Sequence, residues 1–198
     1  MSMARAALAW LLCIPLLAGA RAGAAPPGRA DLPADSLYRI APLQLRDQDG
    51  ARFDLASLRG RPVVLGMFYA SCQVVCPLQI DTLKRLQRAL PQALQVVLIS
   101  FDPAHDGVAR LHAVAAGHRV RAPAFRLTRL EHGDLDALGA VLGIAWRILP
   151  GGGGYSHNVV FNLLDRDGRI AARSEKMDGL DADFVAAAQK ALAQSASN

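Results

Sequence analysis

The chain has 198 residues, with 22 Lys and Arg against 17 Asp and Glu, a formal charge of +5, 52% hydrophobic residues and three cysteines. Those figures exclude a disordered charged tail, a collagen-like repeat and a disulfide-dense mini-scaffold, and they fit one ordinary domain whose core needs no covalent staples. The positive charges are dispersed, without the basic run that marks a nucleic-acid footprint, so nucleic acid is not an expected partner.

Residues 1–24 carry Arg5, an apolar stretch from Ala6 to Leu17, and the small-residue cleavage candidates Ala18-Gly19-Ala20 and Ala22-Gly23-Ala24. This is the pattern of a signal peptide. An uncleaved membrane anchor is the alternative, although the apolar run is shorter than the roughly 20 residues a span requires and contains Pro15. Cys13 follows Leu12 rather than a small residue, and reads as part of the apolar stretch rather than a lipid-attachment site. Export and cleavage would leave Cys72 and Cys76 in a compartment where disulfides persist. Residues 25–37 hold three prolines and no apolar period, which predicts a flexible leader before a domain over 38–198.

Within that domain, residues 42–46 alternate, Asp47-Gln48-Asp49-Gly50 turns the chain, and residues 51–54 return, which predicts a hairpin. A short helical turn over 55–59 is closed by Gly60. The continuous apolar run of residues 62–69 (PVVLGMFY) predicts a strand buried on both faces. Leu78, Ile80, Leu83, Leu86 and Leu90 recur near helical spacing, giving an amphipathic helix over 77–90. A second buried strand is expected over 95–101, a helix over 108–118, a short strand over 125–127 and a helix over 135–142. Strands over 144–149 and 159–164, a turn at 165–168, a returning strand over 169–173 and a last helix over 183–193 complete the pattern. The glycines from Gly151 to Gly154 predict a mobile loop. The alternation predicts an α/β fold: a mixed central sheet flanked by helices, with added N-terminal and C-terminal hairpins.

Cys72 and Cys76 lie between the first buried strand and the first long helix. Pro77 suits the first helical position, which places Cys76 near the N-cap, where free N–H groups and the positive helix end favour a thiolate. Thiolate is the form that binds metal and attacks disulfides. The carboxyl end of an inner strand is also where open α/β sheets build their sites. A structural disulfide or two buried thiols is the plainer alternative, but a loop of three intervening residues gains little chain entropy from a bridge. A C-x-x-C pair would point to thioredoxin-type redox chemistry, whereas C-x-x-x-C can close on one ion.

Two thiolates leave an ion under-coordinated. His105, His112, His118 and His132 fall in polar contexts and read as solvated. His157, where the glycine loop meets an apolar strand, is either a satisfied histidine at a strand start or a ligand, and the residues alone leave both open. Asp106 reads as an N-cap and Asp102 as a turn former, with a place beside a metal as the alternative. Met67 reads as core, and Trp146 and Tyr155 as packing.

Taken together, Asp47-Gln48-Asp49-Gly50, Gly60-Arg61-Pro62-Val63-Val64-Leu65 leading to Phe68-Tyr69, Cys72-x-x-x-Cys76-Pro77, Ser100-Phe101-Asp102-Pro103-x-x-Asp106, and His157 followed by Leu163 and Gly168 form one ordered set. In that set the chain resembles the Sco/SenC family, the thioredoxin-fold copper proteins of cytochrome c oxidase assembly, from Tyr38 to the last helix. The resemblance implies a thioredoxin-like fold and copper, as Cu(I) or Cu(II), held by Cys72, Cys76 and His157. It also implies a periplasmic metallochaperone whose partner is a copper-accepting subunit of a respiratory haem-copper oxidase or another periplasmic copper chaperone. Bacterial members tend to be membrane-tethered, so anchoring to the outer face of the inner membrane is the alternative location. Gln73 and Val74 stand where the family often has Pro-Asp, and Ser156 stands where an Asp commonly precedes the histidine. The competing reading is an enzyme, a thiol-disulfide oxidoreductase using Cys72 and Cys76 on cysteines of an exported copper protein. His157 separates the two, because disulfide exchange needs no distant imidazole. A zinc hydrolase ranks last, for want of a positioned base and a substrate pocket in the sequence.

Overall fold

The computed structural model describes residues 31–90, 94–152 and 154–196. The predicted signal segment and the first residues of the leader lie outside the described residues.

After a one-turn helix α1 (Leu37–Ile40), strands β1 (Gln44–Asp47) and β2 (Arg52–Asp54) form the expected opening hairpin, and a 3-10 turn (Leu55–Leu58) follows. Then come β3 (Val63–Phe68), α2 (Val75–Ala89), β4 (Gln95–Ser100), α3 (Val108–His118), β5 (Phe125–His132) and α4 (Leu135–Leu142). The last part comprises β6 (Trp146–Ile148), a 3-10 turn (Pro150–Gly152), β7 (Tyr155–His157), β8 (Phe161–Leu164), β9 (Ile170–Ser174) and α5 (Ala182–Ala196).

Seven strands form one mixed sheet in the order β2-β1-β5-β4-β3-β8-β9, while β6 and β7 pair only with each other among the described residues. The inner strands β5, β4 and β3 are parallel, and β1 and β8, the inner strands of the two hairpins, flank them antiparallel. The crossovers through α2 and α3 step the same way across the sheet, from β3 to β4 to β5, and the two helices touch each other on one face. All six residues of β3 are buried, so the run read as PVVLGMFY is the strand at the centre of the core. Gly66 lets α2 come close to it: a Cβ there would stand 3.2 Å from Gln79 Nε2, whose amide instead donates to the Met67 carbonyl at 3.1 Å.

β5 runs eight residues, well past the three expected. Its extra length, with the mixed pattern Thr-Arg-Leu-Glu-His, is held by antiparallel pairing to β1, a non-local contact that periodicity cannot show. At the start of the domain, Leu37 N–H donates to the Gly168 carbonyl at 2.8 Å, Ser36 donates to the Asp167 carbonyl, and Arg169 pairs with Asp35 at 2.9 Å. The end of the predicted leader is thus fastened to the β8–β9 turn.

Candidate metal centre

The chain leaves β3 at Phe68 and loops into α2 through Cys72. The helix begins at Val75, so Pro77 is its third residue rather than its first and Cys76 is already inside the first turn. This corrects the expected placement: the sulfur facing the helix N-terminus belongs to Cys72, which accepts the Cys76 N–H at 3.2 Å, while Cys76 is only 3% exposed. The two thiols are therefore unequal. Burial alone would push Cys72 up, but N–H groups of Cys76, Val74 and Val75 and the Cys76 thiol outweigh it and hold Cys72 below an ordinary thiol. At Cys76 burial dominates. Cys72 and the charge of Asp106 add to it against a single donor, the Tyr69 N–H, and the thiol is pushed far up.

Asp106 is not an N-cap. Gly107 occupies that position without a side-chain cap, and the carboxylate of Asp106 turns inward, fully buried. There it accepts the Ala70 N–H at 2.8 Å and the Ser100 hydroxyl at 2.5 Å, binding the start of the cysteine loop to the end of β4. Both donors reach Oδ2, while Oδ1 is buried without a hydrogen bond and lies 3.7 Å from Arg110 Nε. Asp102 makes the expected turn, its carbonyl accepting from the N–H groups of His105 and Asp106, and its carboxylate pairs with His105 Nδ1 at 2.7 Å.

His157 arrives on a different element. It ends β7, opposite Trp146, in a hairpin separate from the main sheet, and is not the first residue of the following apolar strand. Tyr155–His157 is too short to show any period, which is why the sequence merges it with the glycine loop. Rings position this hairpin. Trp146 stacks on Phe101 at 5.2 Å, Tyr155 meets Tyr69 and Phe101 edge-on at 5.0 and 5.3 Å, and the His157 ring lies 5.1 Å from Phe101 and 5.8 Å from Tyr69. The two rings read as packing do pack, against Phe101 and Tyr69, the rings that also meet the imidazole. Gly139 of α4 makes room: a Cβ there would overlap the Trp146 ring and lie 2.8 Å from the Ile144 carbonyl.

Asn158, which the sequence reading passed over, fastens the end of the hairpin. Its side chain accepts the Ala145 N–H and donates to the Gly143 carbonyl, both at 2.8 Å. The Asn158 carbonyl lies 3.0 Å from His157 Nδ1. Because a carbonyl can only accept, Nδ1 carries the hydrogen and Nε2 is left with its lone pair. Such a carbonyl partner orients many metal-binding histidines.

The Cys72 and Cys76 sulfurs and a His157 ring nitrogen all lie within 4.8 Å of one another, and among the described residues they are the one such group of three. Metal bonds of about 2.0–2.3 Å close a triangle of that size with little side-chain movement. Beside it opens a cleft of about 440 Å³ lined by Tyr69, Ser71, Asp102, His105, Ile148 and Tyr155.

A family profile described as SCO1/SenC matches residues 35–194. The chain belongs to the SCO1/SenC family. A curated Bacillus subtilis relative, "SCO1 protein homolog", is 30% identical over 84 residues, 41% of this chain and 44% of its own length. The chain thus spans about two fifths of the curated relatives it matches, 41% in the case of one from Stutzerimonas stutzeri. Among solved structures, a SCO1/SenC family lipoprotein from Bacillus anthracis str. Ames has a TM-score of 0.64 at 22% identity, covering 77% of this chain and 93% of its own. Bradyrhizobium japonicum ScoI with copper bound has a TM-score of 0.55 at 24% identity, covering 79% and 96%. These likenesses establish the fold.

The remaining candidates of this SCO1/SenC protein stay apart from the triangle. Met67 is 1% exposed, in the core. His112 is exposed and faces Asp49 at 3.4 Å, and His118 and His132 join no cluster of metal-ligating groups. At the positions where the chain departs from the family pattern, Gln73, Val74 and Ser156 are all exposed, so each changes the rim of the site rather than its core.

Proposed function

We propose that this SCO1/SenC protein is an exported copper metallochaperone that carries copper on Cys72, Cys76 and His157 and passes it to the copper centre of a haem-copper oxidase, directly or through another periplasmic copper chaperone. The observation that carries the reading is the convergence of two sulfurs and an imidazole nitrogen within 4.8 Å from two separately built elements. Two thiolates select Cu(I), and the imidazole extends the set to Cu(II). The copper is cargo. Cys72 supplies the more readily formed thiolate, and Cys76 gives up its proton as the ion arrives. Half-exposed Cys72 and His157 leave one side open for ligand exchange.

Support also comes from relatives whose names include bound copper, the Bradyrhizobium protein among them. The signal-like segment 1–24 and the lipoprotein relative from Bacillus anthracis support export to the periplasm, with the outer face of the inner membrane as the anchored alternative. No described helix is long and apolar enough to cross a membrane. Anaerobic Cu(I) titration of the reduced protein, competed with a chromophoric chelator, tests the proposal. One tightly held ion per chain is expected, and none would overturn it.

The inequality of the two thiols favours a second reading, thiol-disulfide exchange. The Cys72 thiolate attacks a partner disulfide, one partner sulfur leaves as a thiolate, and Cys76 then attacks the Cys72 sulfur of the mixed disulfide, releasing the second partner sulfur as a thiolate and closing a Cys72–Cys76 disulfide. Turnover of a disulfide substrate by the His157→Ala protein at the wild-type rate, together with failure to hold copper, would put this reading first.

A further inference from the structure

Five large apolar side chains stand out as exposed among the described residues: Ile40, Val74, Leu78, Ile148 and Leu149. Four of them lie on the two segments that bring the metal ligands together. Val74 sits between the two cysteines and Leu78 two residues beyond Cys76. Ile148 pairs with Tyr155 on the histidine hairpin, and Leu149 follows it. Their exposures of 70%, 49%, 67% and 37% are costly to maintain in water for no structural return. Leu78 could face inward only by turning the helix that also buries Cys76 and Ile80, and Ile148 lines the cleft beside the site.

Two exposed cations stand beside this apolar rim, and Asp81, one turn along α2 from Leu78, is also exposed and faces Lys84 at 3.7 Å. Arg147, on β6 between Trp146 and Ile148, is exposed, and so is Arg110, which reaches over the loop to donate to Ser71 Oγ at 2.9 Å. Their acidic neighbours, Asp102 and Asp106, are turned inward, at 7% and 0% exposure. An apolar centre with a cationic border suits a partner with an apolar patch ringed by carboxylates.

From this we infer that Val74, Leu78, Ile148 and Leu149, bordered by Arg110 and Arg147, form the docking surface for a copper-accepting protein domain whose own ligands lie in an apolar patch ringed by carboxylates. The inference rests on the chaperone reading and adds the chemistry of the partner and the place where it sits. Because the apolar residues are divided between the cysteine segment and the histidine hairpin, a docked domain touches both ligand-bearing elements at once and covers the open side of the site. A patch of four side chains is small, in keeping with the interfaces below about 1,200 Å² typical of transient encounters.

The test is Cu(I) transfer from the loaded, reduced protein to two acceptors: the purified copper-binding domain of a haem-copper oxidase subunit and a small chelator. Each is followed by stopped flow at low and at high salt. Leu78→Ser with Ile148→Ser, and separately Arg147→Glu, are compared with wild type after each is shown to load one copper. The apolar pair is expected to slow transfer to the domain about tenfold, the scale of losing one or two modest hot spots, and to leave transfer to the chelator unchanged. Arg147→Glu is expected to slow domain transfer at low salt and to lose most of that effect at high salt. Domain transfer at the wild-type rate in both variants overturns the surface and leaves the chaperone reading standing, and equal slowing toward both acceptors overturns it as well. A loaded wild-type protein that yields copper to the chelator and none to the domain overturns the chaperone reading, and the docking partner with it.

Discussion

The two halves of the candidate centre are built by opposite means. The cysteine half grows out of the most buried strand of the sheet, and backbone hydrogen bonds fix it: the Cys76 N–H to Cys72, the Ala70 N–H to Asp106, and the Gln79 amide to the Met67 carbonyl. The histidine half is a hairpin of two three-residue strands outside the main sheet, held by ring contacts and by the side chain of Asn158. The first half therefore inherits the rigidity of the core, while the second depends on a few side chains. Loss of a contact in the hairpin should alter what the imidazole does and leave the thiolates in place.

The largest effect should come from the rigid half. Replacing Cys72 or Cys76 with Ser is expected to abolish stoichiometric copper binding, measured by anaerobic titration. Oxidising the pair to a disulfide should do the same reversibly, because both sulfurs are needed as thiolates. Stoichiometric binding by the double variant would dissolve the contrast altogether.

Next comes His157→Ala, which is expected to keep Cu(I) affinity within about tenfold of wild type while removing the sulfur-to-Cu(II) charge-transfer absorption, since nitrogen matters to Cu(II) more than to Cu(I). Equal loss of both ions would mean that the halves act as one unit. Asn158→Ala tests the hairpin without touching a ligand. Loss of its clamp is expected to weaken Cu(II) about 10- to 100-fold, the range found for groups that orient metal ligands, with Cu(I) nearly unchanged. Gly139→Ala should press on Trp146 and cost about 1–3 kcal/mol in denaturant unfolding, with a shifted Cu(II) spectrum.

The smallest effect lies within the cysteine half. With Cys72 held below an ordinary thiol and Cys76 above it, raising the pH ionises Cys72 first, so alkylation of the metal-free protein mapped by mass spectrometry should label Cys72 at lower pH. Equal labelling at every pH would contradict the asymmetry.

The same contrast decides how much could be read from the sequence. The cysteine half was legible because its elements are long: the six buried residues of β3 and the fifteen of α2 bracket Cys72 and Cys76, so their place at a strand-to-helix junction follows from pattern alone. The detail that failed there was the helix start, two residues earlier than expected. Starting at Val75 moves the free N–H groups from Cys76 to Cys72, a difference set by hydrogen bonds rather than hydrophobicity. The histidine half was legible only through resemblance. Tyr155–His157 is shorter than any period, and Tyr69 and Phe101 meet it from two distant parts of the chain. Asp106 was misplaced for the same reason, because its donors Ala70, in the loop after β3, and Ser100, at the end of β4, become neighbours only in the folded sheet.

The fastening of Asp35, Ser36 and Leu37 to the β8–β9 turn gives the molecule a direction. Val63 at the start of β3 pairs with Leu164, so that turn lies at the opposite end of the strand from Phe68 and the cysteines. Six residues at about 3.3 Å each put roughly 20 Å of sheet between the two ends. Residues 35–37 are therefore held at the end of the sheet opposite the sulfurs. If the protein is held by its N-terminus, the leash pulls at the base and the copper-bearing tip points away from the surface that holds it.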